Sequence, residues 1–166
     1  MIEATPRVHQ TAIIQGGSVS PSAEIREYCT LHDSHIGDNC IIYERVTLKR
    51  VTLGKDSFVN TGSYAENVII GERTQIGPNC SLPGVWHDFD EKLVSDEDVF
   101  VPITIGDNSL LGAGVIVTPG VKIGNGVVIG AGTIVTKDIP DHYICYGVPP
   151  NQTMMSIRDY RAKKGI

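Results

Sequence analysis

The 166 residues carry a net charge of −5, a pI near 5.4 and 41% apolar residues, which fits one folded domain or repeat array and argues against a disordered chain. Residues 1–150 hold 10 Lys and Arg against 18 Asp and Glu, and residues 151–166 hold four against one. Only the tail is basic, so no nucleic-acid partner is expected. Aromatics are 6%, whereas Ile, Leu and Val number 44 and Gly 18, so the core is read as branched aliphatics joined by tight turns.

At the N-terminus, Met1-Ile2-Glu3-Ala4-Thr5-Pro6-Arg7 shows no basic stretch followed by an apolar run, so no secretory leader is expected. No apolar run approaches the ~18 residues of a membrane helix. Cys29, Cys40, Cys80 and Cys145 form no CxxC pair and no close Cys/His cluster. The expectation is a cytoplasmic protein with reduced thiols, no membrane span and no metal.

From Ile2 onward, branched aliphatics recur in steps of six, six and five: Ile2, Val8, Ile14, then Val19, Ile25, Leu31, then Ile36, Ile42, Leu48, then Leu53, Val59, Ala65, then Ile70, Ile76, Leu82. From Ile105 every step is six: Leu111, Val117, Ile123, Ile129, Val135. Of these 21 positions 20 are Ile, Leu or Val, where composition alone gives about six. Six is not a helical period. It fits a short strand and a corner, repeated three times per coil, which predicts a parallel β-helix. The aliphatic points inward and stacks on its equivalents about 4.8 Å away. Gly is frequent immediately after it, which we read as a corner needing an unusual backbone angle. The fifth position is small (Ala23, Cys29, Cys40, Ser57, Ser63, Thr74, Cys80, Ser109), so three of the cysteines read as inward filler.

Full coils are expected at 2–18, 19–35, 36–52, 53–69, 105–122 and 123–140, with a seventh begun at Ile70 and interrupted after Leu82. Residues 83–104 then combine an excursion with the rest of that coil, and a loop that a repeat array does not need is usually functional. Residues 1–150 form the β-helix domain. Residues 151–166 read as a short C-terminal helix with Met154, Ile157 and Arg161 along one face.

Runs such as Ile105-Gly106-Asp107-Asn108, Pro119-Gly120-Val121-Lys122-Ile123-Gly124 and Ile129-Gly130-Ala131-Gly132, with Thr136-Lys137-Asp138-Ile139-Pro140 and Gly147-Val148-Pro149, resemble the hexapeptide-repeat acyltransferases, most closely their galactoside and maltose O-acetyltransferase branch over residues 53–150. The resemblance implies an all-β, left-handed parallel β-helix of about seven coils, a homotrimer, and acetyl-CoA bound as co-substrate between neighbouring columns. It implies a catalytic His at His87, shortly after Leu82, and an acceptor-binding Asn at Asn60. It also implies acetyl-CoA contacts at Gly112, Ala113, Ala131, Thr136 and Lys137. The basic residues that follow the Gly-x-Pro motif in the family are missing at Asn151-Gln152-Thr153, and Arg158, Arg161, Lys163 or Lys164 is the expected substitute from the tail. Coils are expected to begin almost at Ile2, without the family's helical N-terminal segment ahead of them.

A histidine with an unperturbed pKa of about 6.5 suits a base that takes the proton of an attacking hydroxyl or amine. A backbone N–H near Gly112-Ala113 is the expected oxyanion donor. Trp86, the only Trp, is expected to wall the acceptor beside His87. The acidic run Asp88, Asp90, Glu91, Asp96, Glu97, Asp98 reads either as an attraction for a cationic acceptor or as a solvated face. Cys80 points inward and Cys145 has no evident base, so no covalent acyl-enzyme is expected. Two other functions compete: a non-catalytic assembly β-helix, and a γ-type carbonic anhydrase, whose His-x4-His pair is missing among His9, His32, His35, His87 and His142.

Overall fold

The structure is a computed structural model describing residues 6–89 and 94–166. Ile2, Asp90, Glu91 and the side chain of Asp96 lie outside the described residues. Short parallel strands stack into three ladders, one for each step of the aliphatic frame. The first face pairs Val8 with Ile25, Ile25 with Ile42, Ile42 with Val59 and Val59 with Ile76, and continues through Leu111 and Ile129 to Cys145. The second stacks Ile14, Leu31, Leu48, Ala65 and Leu82, then Val117 and Val135. The third stacks Val19, Ile36, Leu53, Ile70, Ile105 and Ile123, with Ile139 bridged above. From Ile25 upward these side chains form one continuous buried core.

Register shows where the frame is broken. Partners on the first face are 17 residues apart below Ile76 and 18 apart between Leu111 and Ile129, but Ile76 pairs with Leu111, 35 residues on. The added length is the excursion. The seventh coil is completed around it: it passes through Gly84, leaves the column, and resumes at Val101, whose N–H donates to Gly84 O at 3.0 Å. A further partial turn at Tyr143–Tyr146 continues the first face, which brings the column to about eight turns.

Two sequence expectations change. The glycines after the inward aliphatics are not at unusual angles. A Cβ on Gly54, Gly77, Gly106 or Gly112 would lie 2.6–2.7 Å from backbone or side-chain atoms of the next coil. They are glycines because adjacent corners touch there. The positive-φ corner residues come two or three places after the aliphatic, among them Arg50, Asp56, Asn79, Asn108 and Gly132, where Asn and Asp tolerate the left-handed region better than most residues. The tail also differs: Thr153–Ser156 is a strand antiparallel to Tyr143–Tyr146, placing Met154 opposite Cys145, and the helix spans only Ile157–Lys164. Met154 thus packs on the end of the core from a strand rather than from a helix face.

The small fifth positions close the corners. Ser57, Thr74 and Ser109 are buried, and each hydroxyl donates to the corner carbonyl that follows it: Gly71 at 2.9 Å, Gly106 at 2.8 Å and Gly124 at 3.0 Å. Cys40 and Cys80 reach Gly54 O at 3.1 Å and Gly112 O at 3.2 Å by the same geometry. All four cysteines are buried, and burial pushes every thiol up from its ordinary range. They are corner and core residues, as the inward reading expects.

Candidate functional site

The excursion is an antiparallel hairpin, Val85–Phe89 with Val94–Phe100, rooted on the edge between the second and third faces. Its root is pinned: Gly84 N–H donates to Glu66 O at 2.7 Å, Asn67 Nδ2 donates to Gly84 O at 2.8 Å, and Gly120 N–H donates to Val101 O at 3.0 Å. A Cβ on Gly84 would lie 2.3 Å from Asn67 O, so the chain leaves the column where only glycine fits.

Within the hairpin Val85 pairs with Phe100, Trp86 with Val99 and His87 with Asp98. Side chains alternate across a strand, so Val85, His87, Asp98 and Phe100 share one face and Trp86 and Val99 the other. The Phe100 ring lies over the Arg50 guanidinium, 4.6 Å from its centroid. The His87 face therefore meets the column at Phe100, and Trp86 lies on the opposite face of the ribbon. The expected pairing of His87 with Trp86 on one acceptor wall is not what the hairpin makes; adjacent residues on a strand point apart.

His87 Nδ1 lies 3.7 Å from Asp98 Oδ1. Beneath them, Glu66 is buried on the column and engaged from two sides, by the Arg50 guanidinium and the Tyr64 hydroxyl. Burial first, and then the hydrogen bond to Glu66, push the Tyr64 phenol up to about 12, with a smaller repulsion from Asp98. The sequence reading missed Arg50, Tyr64 and Glu66. One signal was available: Ala65, between Tyr64 and Glu66, is the single frame position that is not Ile, Leu or Val.

The other candidates lie on all three edges. Thr136 and Lys137 are exposed, on the hairpin edge. They follow Val135 on the second face, two coils above Leu82. Asn60, Gly112, Ala113 and Ala131 occupy the edge between the first and second faces. There Asn60 Oδ1 accepts from Thr61 N–H at 2.9 Å. Gly112 N–H donates to Ile129 O at 2.8 Å, so it belongs to the ladder, and Ala113 is the oxyanion candidate that remains. Arg158 is exposed on the C-terminal helix, whose first residue donates to His142 O on the third edge.

Gly112-Ala113-Gly114 stacks on Gly130-Ala131-Gly132, a strip bearing no side chain larger than a methyl. A Cβ on Gly114 or Gly132 would meet nothing within 4 Å. Lower on the same edge stand Arg26, Tyr43 and Asn60. The strip leaves that edge bare, while Thr136 and Lys137 stand on the hairpin edge and Arg158 on the C-terminal helix. A separate cavity of about 400 Å³ lies at the N-terminal end, lined by residues including Arg7, Glu24, Arg26 and Glu44. Its charges pair among themselves, Arg7 with Glu24 at 2.7 Å and Arg26 with Glu24 and Glu44 at 2.9 and 3.3 Å, and it contains none of the candidates. Among the described residues no group of three His, Cys, Asp or Glu is arranged to hold a metal, and no helix is long and apolar enough to cross a membrane.

A family model described as the hexapeptide repeat of succinyl-transferase matches residues 102–137, and one described as the GMPPB C-terminal domain matches residues 13–102, over half the chain. The chain is 36% identical over 126 residues to the galactoside O-acetyltransferase of Lactococcus lactis, covering 70% of this chain and 60% of that one. Among solved structures it is similar to a maltose O-acetyltransferase from Clostridium difficile, with TM-score 0.65, 29% identity and coverage of 73% and 67%. It is also similar to a galactoside acetyltransferase in complex with coenzyme A, with TM-score 0.62, 32% identity and coverage of 71% and 62%. The chain thus spans about three fifths of its curated relative. The column is a left-handed parallel β-helix. The chain belongs to the hexapeptide-repeat acyltransferase family.

Proposed function

We propose that this protein moves an acetyl group from acetyl-CoA to a hydroxyl or amine of a small acceptor, with a sugar as the acceptor class and His87 as general base. The observation that carries the reading is the hairpin: it leaves the column at a pinned root and carries a histidine on the face that meets it at Phe100, in a chain related to sugar O-acetyltransferases. Acetyl-CoA supplies the activated acyl carbon and a thiol leaving group. His87 takes the proton from the acceptor as its oxygen or nitrogen attacks the thioester carbonyl, and returns it to the departing sulfur. Such a base contributes roughly 10²–10⁴-fold. The bare strip at Gly112, Ala113 and Ala131 holds the pantetheine arm, with the Ala113 N–H toward the carbonyl oxygen. Thr136, Lys137 and Arg158 take the nucleotide end. Asn60 holds the acceptor.

In one chain Asn60 and the strip stand on a different edge from His87. A closed ring of copies sets unlike patches against each other, so the hairpin edge of one column faces the strip of the next. The proposed assembly is a homotrimer with its sites in the seams. The proposed location is the cytoplasm, where acetyl-CoA is made and consumed.

The test is His87→Ala, which keeps the column folded by circular dichroism and lowers turnover at least about 100-fold; full turnover removes His87 from its role. A second reading, a non-catalytic assembly β-helix, is favoured by the separation of His87 from the strip, which stand on different edges of one chain. CoA at 100 times its Kd adds about 2.7 kcal/mol of stability in the first reading. No shift at millimolar CoA favours the second.

A further inference from the structure

We propose that Arg50 is a positioning residue for His87: by gripping buried Glu66 and stacking against Phe100, it fixes the tilt of the hairpin over the column. The proposal rests on the reading of His87 as the base.

The root alone does not set this tilt. The backbone bonds at Gly84 and Val101 hold the two ends of the excursion, but a two-stranded ribbon can rock about such a root. What stops it is a contact from inside the ribbon to a rigid part of the column. Arg50 lies two residues past Leu48 on the hairpin's own edge, in the left-handed region at φ 52°. There its guanidinium meets the Glu66 carboxylate and lies 4.6 Å from the centre of the Phe100 ring. Glu66 is only 7% exposed and also receives the Tyr64 hydroxyl, so it is a fixed anchor rather than a mobile surface carboxylate. Phe100 is two residues from Asp98 on the same strand face, and Asp98 is the cross-strand partner of His87. A planar guanidinium can grip a carboxylate with its N–H fork and stack on a ring with its face, which an ammonium cannot. Contacts join Glu66 to Arg50 and Arg50 to Phe100, and the strand that carries Phe100 also carries Asp98, which lies beside the proposed base.

The experiment uses the full chain and Trp86 as the reporter. It is the only Trp, and it sits on the hairpin face away from the column. Arg50→Ala, Arg50→Lys and Phe100→Ala are compared with the parent for kcat, for KM of acetyl-CoA and for Trp86 fluorescence anisotropy. Ala is no more strained than Arg in the left-handed region, so the change reads the side chain. Expected for Arg50→Ala is a kcat lower by about 100-fold, the effect of roughly 1 Å of misplacement, with KM for acetyl-CoA within about twofold and a fall in anisotropy. Phe100→Ala reproduces both changes from the other partner and stands in if Arg50→Ala does not fold. Arg50→Lys restores neither. Unchanged kcat, or a fall in kcat without a fall in anisotropy, overturns the proposal. His87→Ala separates the failures: if it retains full turnover, the base assignment falls and takes this proposal with it, whereas loss of turnover there with an unaffected Arg50→Ala sinks this proposal alone.

Discussion

Excising the hairpin tests whether the column is independent of its excursion. The perturbation removes residues 85–100 and joins Gly84 to Val101 through Asn-Gly, the two-residue linker best suited to a tight hairpin turn. The ends already meet, with Val101 N–H on Gly84 O at 3.0 Å. Shortening a loop from sixteen residues to two is three halvings, worth about 1.8 kcal/mol of closure entropy. Against this stands the stack of Phe100 on Arg50, worth about 0.5–1 kcal/mol at a partly exposed site, and the hydration of Glu66, which favours opening its pair. The terms nearly cancel, so stability changes by about 1 kcal/mol or less, a shift in Tm of about 2–4 °C. The assay is thermal and urea unfolding of both chains, with turnover measured in parallel and expected to vanish. A fall in Tm of more than about 10 °C, near 3 kcal/mol, would refute the claim that the hairpin is an attachment to a self-sufficient column.

Thr74→Val keeps the shape of a fully buried side chain but removes the hydroxyl that donates to Gly106 O at 2.8 Å and accepts from Ser109 N–H at 3.2 Å. It costs about 2 kcal/mol, read as a lower urea midpoint. Tyr64, held to about 12 against an ordinary 10, stays protonated in the folded chain where the unfolded chain ionises. Its contribution is complete below pH 10 and is lost as pH rises toward 12. The parent therefore loses stability more steeply than Tyr64→Phe across that window, and absorbance at 295 nm shows a late-titrating phenol in the parent that Tyr64→Phe lacks. The four buried thiols should react with Ellman's reagent only after unfolding; rapid reaction of Cys80 in the native state would contradict its inward placement.

The column was legible because inward packing leaves a periodic mark that survives without knowledge of tertiary structure. Ile25, Leu48, Ile76 and Ile129 each lie in the ladder that their spacing assigns. The physical role of Gly77 or Gly112 was not legible, because close approach and an unusual φ select the same residue and only the neighbouring coil tells them apart. The tail misled for a related reason. Met154 and Ile157 are spaced as on a helix, but the exposed end of the first-face ladder offers Tyr143–Tyr146 a partner, and Thr153–Ser156 takes it. Within the candidate site, His87 was visible from its place in the loop. Its orientation was not, since it follows from the pairing of Phe100 with Val85 and from Arg50, 50 residues upstream of Phe100, meeting that ring. No local pattern encodes a contact of that separation.

The closed root explains how column and hairpin coexist. Because the excursion returns to the point it left, with Val101 N–H on Gly84 O, Ile76 meets Leu111 in the same inward sense in which Val59 meets Ile76. Every ladder above the hairpin stays in register with those below. A corner is also the cheapest exit, since the chain is already turning there and its carbonyls are already paired from outside the strands. In the proposed reaction this separates two demands. Holding the thioester falls to the glycine and alanine strip, whose shape is fixed by coil-to-coil stacking, and meeting the acceptor falls to a ribbon whose sequence the column does not constrain. Substitutions on the inner hairpin face, at Val85 or Asp98, should then change the choice of acceptor while leaving KM for acetyl-CoA within about twofold. Equal losses toward every acceptor, accompanied by weaker acetyl-CoA binding, would show that the two demands are not separate.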